Sequence, residues 1–143
     1  IIVTCFFNCH YNRDKYLVFN YNLYNFIQIH MLISIIIPCF NEKSSIETLL
    51  EKVLQQKNLN KQIILVDDCS TDGSTDIIKN KLSKFVDRII YQKSNKGKGA
   101  AIRAALPFVK GKIVIIQDAD LEYEPSDYQK LIDPIIYQNK KVV

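Results

Sequence analysis

From Met31 onward, short β-branched apolar runs alternate with stretches in which apolar residues recur every three or four positions. Ile33, Ile35, Ile36 and Ile37 form one run, stopped by Pro38, and predict a buried strand. Ser44 and Glu47 then offer a capping box, followed by Ile46, Leu49, Leu50, Val53 and Leu54 at helix spacing. Ile63 to Val66 is a second buried strand. Ser70 to Ser74 reads as a turn and helix start, with Ile77, Ile78, Leu82 and Phe85 on the helix face. Arg88 to Tyr91 is a weaker strand, Asn95 to Gly99 a loop, and Ala101, Ala104, Ala105 and Phe108 a small-residue helix face. Lys112 to Ile116 is the fourth strand. Pro125 and Ser126 open a last helix carrying Tyr128, Leu131 and Ile132, which Pro134 should break or kink. Strands and helices in this alternation predict an α/β, Rossmann-like fold: a mostly parallel sheet with helices on both faces.

Ligands of such sheets bind beyond the carboxyl ends of the strands. Pro38-Cys39-Phe40-Asn41-Glu42 follows the first strand, Asp67-Asp68 the second, and Asp118-Ala119-Asp120 the fourth. Three acidic sites therefore converge on one edge. Asp118 and Asp120 repel each other unless a cation lies between them. Carboxylates are hard oxygen ligands, so Mg²⁺ or Mn²⁺ suits them better than zinc, and such ions keep positions open for phosphates. Turn capping is the plainer role for an isolated Asp-x-Asp. Asp67 can accept from a base N–H or a ribose hydroxyl. Asp68 serves equally well as a ligand group or, like Asp72, as a cap for the next helix. Lys96, Lys98 or Arg103 could reach phosphate from the Asn95–Gly99 loop. A solvated basic loop fits as well, because neither Gly-x-Gly-x-x-Gly nor the Walker pattern is present.

Composition narrows the class. The chain has 143 residues, is 48% hydrophobic and carries a formal charge of +4, which suits a globular domain and gives no reason to invoke nucleic acid. Four cysteines, Cys5, Cys9, Cys39 and Cys69, are scattered as in a reducing cytoplasm. Cys5-x-x-x-Cys9-His10 has no second Cys/His pair at zinc-site spacing. No stretch reaches the roughly eighteen apolar residues of a membrane span. In residues 1–30, Asn8, Asn12, Arg13, Asp14, Lys15, Asn20, Asn22 and Asn25 interrupt the aromatics, which excludes a signal-peptide core. Residues 1–30 are read as an extension outside the core fold and the folded unit as beginning at Met31; a Tyr/Phe-rich hairpin packed on the domain is the other reading.

The motifs Pro-Cys-Phe-Asn-Glu at 38–42, Val-Asp-Asp-Cys-Ser-Thr-Asp-Gly at 66–73, Asn-Lys-Gly-Lys-Gly-Ala-Ala-Ile-Arg at 95–103 and Gln-Asp-Ala-Asp-Leu-Glu-Tyr-Glu-Pro at 117–125 resemble family 2 glycosyltransferases, in particular the dolichol-phosphate mannose synthase-like branch. The resemblance runs from Met31 to the end. It implies a GT-A fold, with residues 31–143 as the donor-binding part of a longer domain, and a GDP- or UDP-hexose donor. Pro38, Phe40, Asn41, Glu42, Asp67 and Asp68 would bind the nucleotide, and Lys98 and Arg103 the phosphates. Asp118 and Asp120 would be the catalytic pair holding Mg²⁺ or Mn²⁺. Cys69 stands where relatives often carry a small residue such as Gly. The implied acceptor is a polyprenyl or dolichyl phosphate, and the implied location the cytoplasm or the cytoplasmic face of a membrane, with peripheral contact through parts beyond Val143. A phosphate acceptor is already an anion and needs no strong base, in keeping with His10 and His30 lying outside the motifs. Two other functions are compatible with the residues: an inactive nucleotide-binding fragment, and an Asp-x-Asp phosphatase with Asp118 as nucleophile.

Overall fold

A computed structural model describes residues 2–5 and 31–138. The elements are β1 (Ile2–Cys5), β2 (Ile33–Cys39), α1 (Ile46–Gln55), β3 (Lys61–Asp67), α2 (Ser74–Ile77), β4 (Arg88–Tyr91), α3 (Lys98–Ala105), β5 (Ile113–Ile116) and α4 (Tyr128–Gln138). The sheet order is β1-β5-β2-β3-β4. Strands β5, β2, β3 and β4 run parallel, and β1 pairs antiparallel on β5. Residues 2–5 of the amino-terminal extension thus join the sheet edge. The remainder of that segment, with Cys9, His10 and the alternative hairpin, lies outside the described residues.

Strand β2 runs through Pro38 to Cys39 instead of stopping there. The reason is the end of its neighbour. Pairing with β5 ends at Ile36, whose carbonyl accepts from Gln117 N–H at 2.9 Å. By alternation Pro38 faces the same side, where no further strand demands the N–H it lacks. Cys39 faces β3, and its carbonyl accepts from Asp68 N–H at 2.9 Å.

Both faces of the sheet are covered, because buried strand residues alternate sides. Ile33, Ile35, Ile37, Ile63 and Leu65 pack with Leu49, Leu50 and Val53 of α1 and Tyr128, Ile132 and Ile135 of α4. Ile36, Ile64, Val66 and Val114 meet Ala101 and Ala105 of α3 on the other face.

Four local expectations change. The Ser44–Glu47 capping box does not form: α1 begins at Ile46, Ser45 is buried and donates to the Glu42 carboxylate, and the Glu42 carbonyl takes the Ile46 N–H. Glu47 instead pairs with Lys81. The helix predicted after Gly73 is short and passes into a π turn at Ile78–Leu82 and a 3₁₀ turn at Ser83–Phe85. Phe85 therefore ends exposed, with the Lys84 ammonium 4.9 Å from its ring centre. Phe108 is likewise exposed, stacked against Arg88. Helix α4 continues past Pro134 to Gln138, because buried Ile132 and Ile135 anchor it on either side of the proline.

At the amino ends of the strands, a polar clasp fixes β5 against β2. Ser34 Oγ donates to Gln62 Oε1 (2.6 Å) and accepts from Gly111 N–H (2.8 Å), and Gln62 Nε2 donates to the Phe108 carbonyl (3.0 Å). A Cβ on Gly111 would lie 2.4 Å from Ser34 N and 2.8 Å from Leu32 O. Those are backbone atoms, so β5 itself would have to shift. Gly111→Ala is predicted to destabilise the protein by about 1–3 kcal/mol, read as a lower urea midpoint; an unchanged midpoint would show that β5 is not so closely seated.

Candidate functional site

The carboxyl ends of β2 and β5, together with the start of α3, frame one open cleft. Its walls carry Pro38, Phe40, Glu42, Asp68, Lys98, Asp118 and Asp120 from the sequence-derived set, together with Cys39, Ala101 and Ala119. Asn41, Asp67 and Arg103 are not in its lining.

Asn41 adopts a left-handed backbone (φ 57°), and its side-chain oxygen accepts from Thr71 N–H at 2.8 Å. It ties the loop after β2 to the loop after β3. Asp67 is buried; one oxygen accepts from Ser70 N–H (3.1 Å) and the other from Thr75 Oγ1 (2.6 Å). Asp68, also buried, accepts from the N–H groups of Lys96 (3.0 Å) and Gly97 (2.7 Å). Its capping role is thus at the loop before α3, not at the next helix. Asp72 caps that helix, accepting from Ser74 N–H at 2.9 Å. Arg103 is exposed on α3.

Asp118 is mostly buried, with 18% of its side chain exposed, and Lys98 Nζ lies 2.5 Å from its Oδ1. Lys98 thus supplies positive charge to Asp118, the more buried of the two carboxylates. Asp120 is exposed, and its Oδ1 accepts from Glu122 N–H at 3.1 Å. Ala119 is buried between them. Among the described residues no group of three or more His, Cys, Asp or Glu side chains is placed to hold a metal. Two carboxylates facing an open cleft nonetheless fit Mg²⁺ or Mn²⁺, which take few protein oxygens and complete their shell with water and phosphate.

Two features escaped the sequence. Gln117 is fully buried and hydrogen-bonded to the turn that carries the carboxylates. Cys39 lines the cleft as a neutral thiol; burial, then the nearby charges of Asp67 and Glu42, push it up to about 12. Nothing in the sequence marks this thiol as raised, because the cause is its burial and the charge of Asp67 from the neighbouring strand. Because its folded-state value lies above the usual one, Cys39 should stay protonated throughout the neutral range and resist alkylation. Iodoacetamide at pH 8 followed by peptide mass mapping should label it only after unfolding; rapid labelling of the folded protein would contradict this environment.

A family model described as Glycosyl transferase family 2 matches residues 34–143. The undecaprenyl-phosphate 4-deoxy-4-formamido-L-arabinose transferase of Aeromonas hydrophila is 38% identical over 71% of this chain and 33% of its own length. The dolichol-phosphate mannosyltransferase of Pyrococcus furiosus is 31% identical over 73% of this chain and 30% of its own. Among solved structures, the mannosyltransferase PcManGT from Pyrobaculum calidifontis, in complex with GDP-Man and Mn²⁺, aligns with a TM-score of 0.57 at 28% identity, covering 62% of this chain and 27% of that one. S. aureus TarS 1–349 in complex with UDP-GlcNAc aligns with a TM-score of 0.61 at 26% identity, covering 73% and 31%. The chain spans about a third of the length of the curated relatives it matches. Its α/β sheet is part of the GT-A fold that the motifs implied. On sequence and fold together, the chain belongs to the family 2 glycosyltransferases.

Proposed function

We propose that this chain is the donor-binding part of a metal-dependent glycosyltransferase that moves a hexose from GDP or UDP to a polyprenyl phosphate. The observation that carries the reading is the placement of Asp118 and Asp120 at the mouth of one cleft with Phe40, Glu42, Asp68 and Lys98. Relatives named for undecaprenyl-phosphate and dolichol-phosphate transfer support the acceptor, and neighbours solved with GDP-Man and Mn²⁺ or UDP-GlcNAc support the donor.

In this reading Phe40, exposed on the cleft wall, offers a face for the base. Asp68 acts through the backbone it holds, setting the loop from which Lys98 projects. Lys98 sits within reach of Asp118 and of anything bound beside it, so it can turn from carboxylate to phosphate. Asp118 and Asp120 would hold Mg²⁺ or Mn²⁺. When bound, the ion supplies positive charge against the leaving diphosphate. The acceptor phosphate attacks the anomeric carbon as an anion, so no residue here needs to serve as a strong base. A lipid-phosphate acceptor would place the enzyme at the cytoplasmic face of a membrane. No helix among the described residues is long and apolar enough to cross one.

The chain's coverage of about a third of its relatives favours one second reading, a donor-binding fragment that binds nucleotide without turnover. A thermal-shift panel with GDP, UDP and ADP, each with and without Mn²⁺, addresses both. One diphosphate should raise the melting temperature further with metal than without it, and Asp120→Asn should abolish that further rise. A folded protein that no nucleotide shifts would contradict donor binding by this chain. Metal-dependent binding without transfer, gained in a longer chain, would favour the fragment.

A further inference from the structure

The residue before the paired carboxylates is a fully buried glutamine in a chain position that otherwise continues an apolar strand. Its backbone N–H extends the β5–β2 ladder to the Ile36 carbonyl at 2.9 Å. Its side chain makes three further bonds. Nε2 donates to the Asp118 carbonyl at 3.0 Å and to the Tyr123 carbonyl at 3.1 Å. Oε1 accepts from the Tyr128 hydroxyl at 2.9 Å, and Tyr128 is itself fully buried in α4. One carboxamide therefore ties the two ends of the Asp118–Tyr123 turn together and to the helix behind it.

That turn needs holding. Leu121 lies in it with a left-handed backbone (φ 65°), which is costly for a branched side chain. Asp120, at its tip, is exposed and is restrained within the turn by its bond to Glu122 N–H. Burial of a glutamine and a tyrosine hydroxyl is itself unfavourable unless every polar atom is satisfied. Here the bonds that satisfy them are the bonds that shape the turn.

We propose that Gln117, locked by Tyr128, is the positioning residue that presets the Asp118–Asp120 carboxylates for metal and diphosphate. The inference rests on the donor-site reading above. It adds that the metal-dependent part of binding is governed by a buried pair that touches no ligand.

The test compares wild type, Gln117→Leu and Tyr128→Phe as the whole chain. Calorimetric titration of the better of GDP and UDP, in EDTA and with Mn²⁺, gives the factor by which metal tightens binding. A role confined to stability leaves that factor unchanged in any folded variant. The inference predicts that Tyr128→Phe lowers it about fivefold, the equivalent of one hydrogen bond, and Gln117→Leu lowers it further. Binding in EDTA stays the same in all three. Tyr128→Phe removes one oxygen and keeps the ring, so it carries the test if Gln117→Leu does not fold. An unchanged factor in folded Tyr128→Phe overturns the inference while the donor site stands. A wild type in which metal never tightens diphosphate binding removes the donor-site reading and the inference together.

Discussion

Strands β3 and β5 run into carboxylates at one edge of the sheet, and Asp67, Asp68 and Asp118 are each compensated there. The compensation takes three forms. Asp67 is satisfied by a backbone N–H and a threonine hydroxyl, and Asp68 by two backbone N–H groups of the loop before α3. Those partners are fixed by the chain. Asp118 is compensated by Lys98, a half-exposed side chain on a flexible stem. A lysine is a mobile point charge, so this is the partner that a metal or a phosphate can displace with least disturbance to the fold. The lysine end of the pair is half-exposed and held by this one carboxylate, which leaves it free to be exchanged.

The distinction separates scaffold from site. Asp67, Asp68, Asn41 and Asp72 knit the loops after β2 and β3 and before α3 into one rim. Asp118, Asp120, Lys98 and Phe40 face the opening that the rim creates. The nucleotide-binding set expected from the family motifs thus contains both cleft-facing groups and groups whose bonds go to the protein. Behind the carboxylate pair, Gln117 and Tyr128 fill the same structural need from within the core.

Much of the fold was legible because parallel strands buried on both faces must be continuous apolar runs, and Ile35–Ile37, Ile63–Val66 and Ile113–Ile116 are such runs. The edge that would carry chemistry followed from what comes after each run. What the sequence hid depends on long-range partners. Pro38 stays in β2 because β5 ends two residues earlier, a fact of register. The Ser44–Glu47 capping pattern gave way to a different local bond, from Ser45 to Glu42, and to the tertiary pair of Glu47 with Lys81. Gln117 stood in the sequence only as a member of the Gln-Asp-Ala-Asp motif, since its partner Tyr128 lies eleven residues on.

The central claim is that Asp118 and Asp120 hold a divalent cation in the cleft. The most direct measurement follows the backbone amide resonances of the ¹⁵N-labelled chain as Mn²⁺ is added in the presence of UDP or GDP, because the unpaired electrons broaden nearby signals. The account predicts that signals from residues 117–121 and from Lys98 to Ala101 vanish first, at amounts of metal that leave α4 sharp beyond Leu131. Broadening centred elsewhere, or spread evenly over the surface carboxylates, would contradict it.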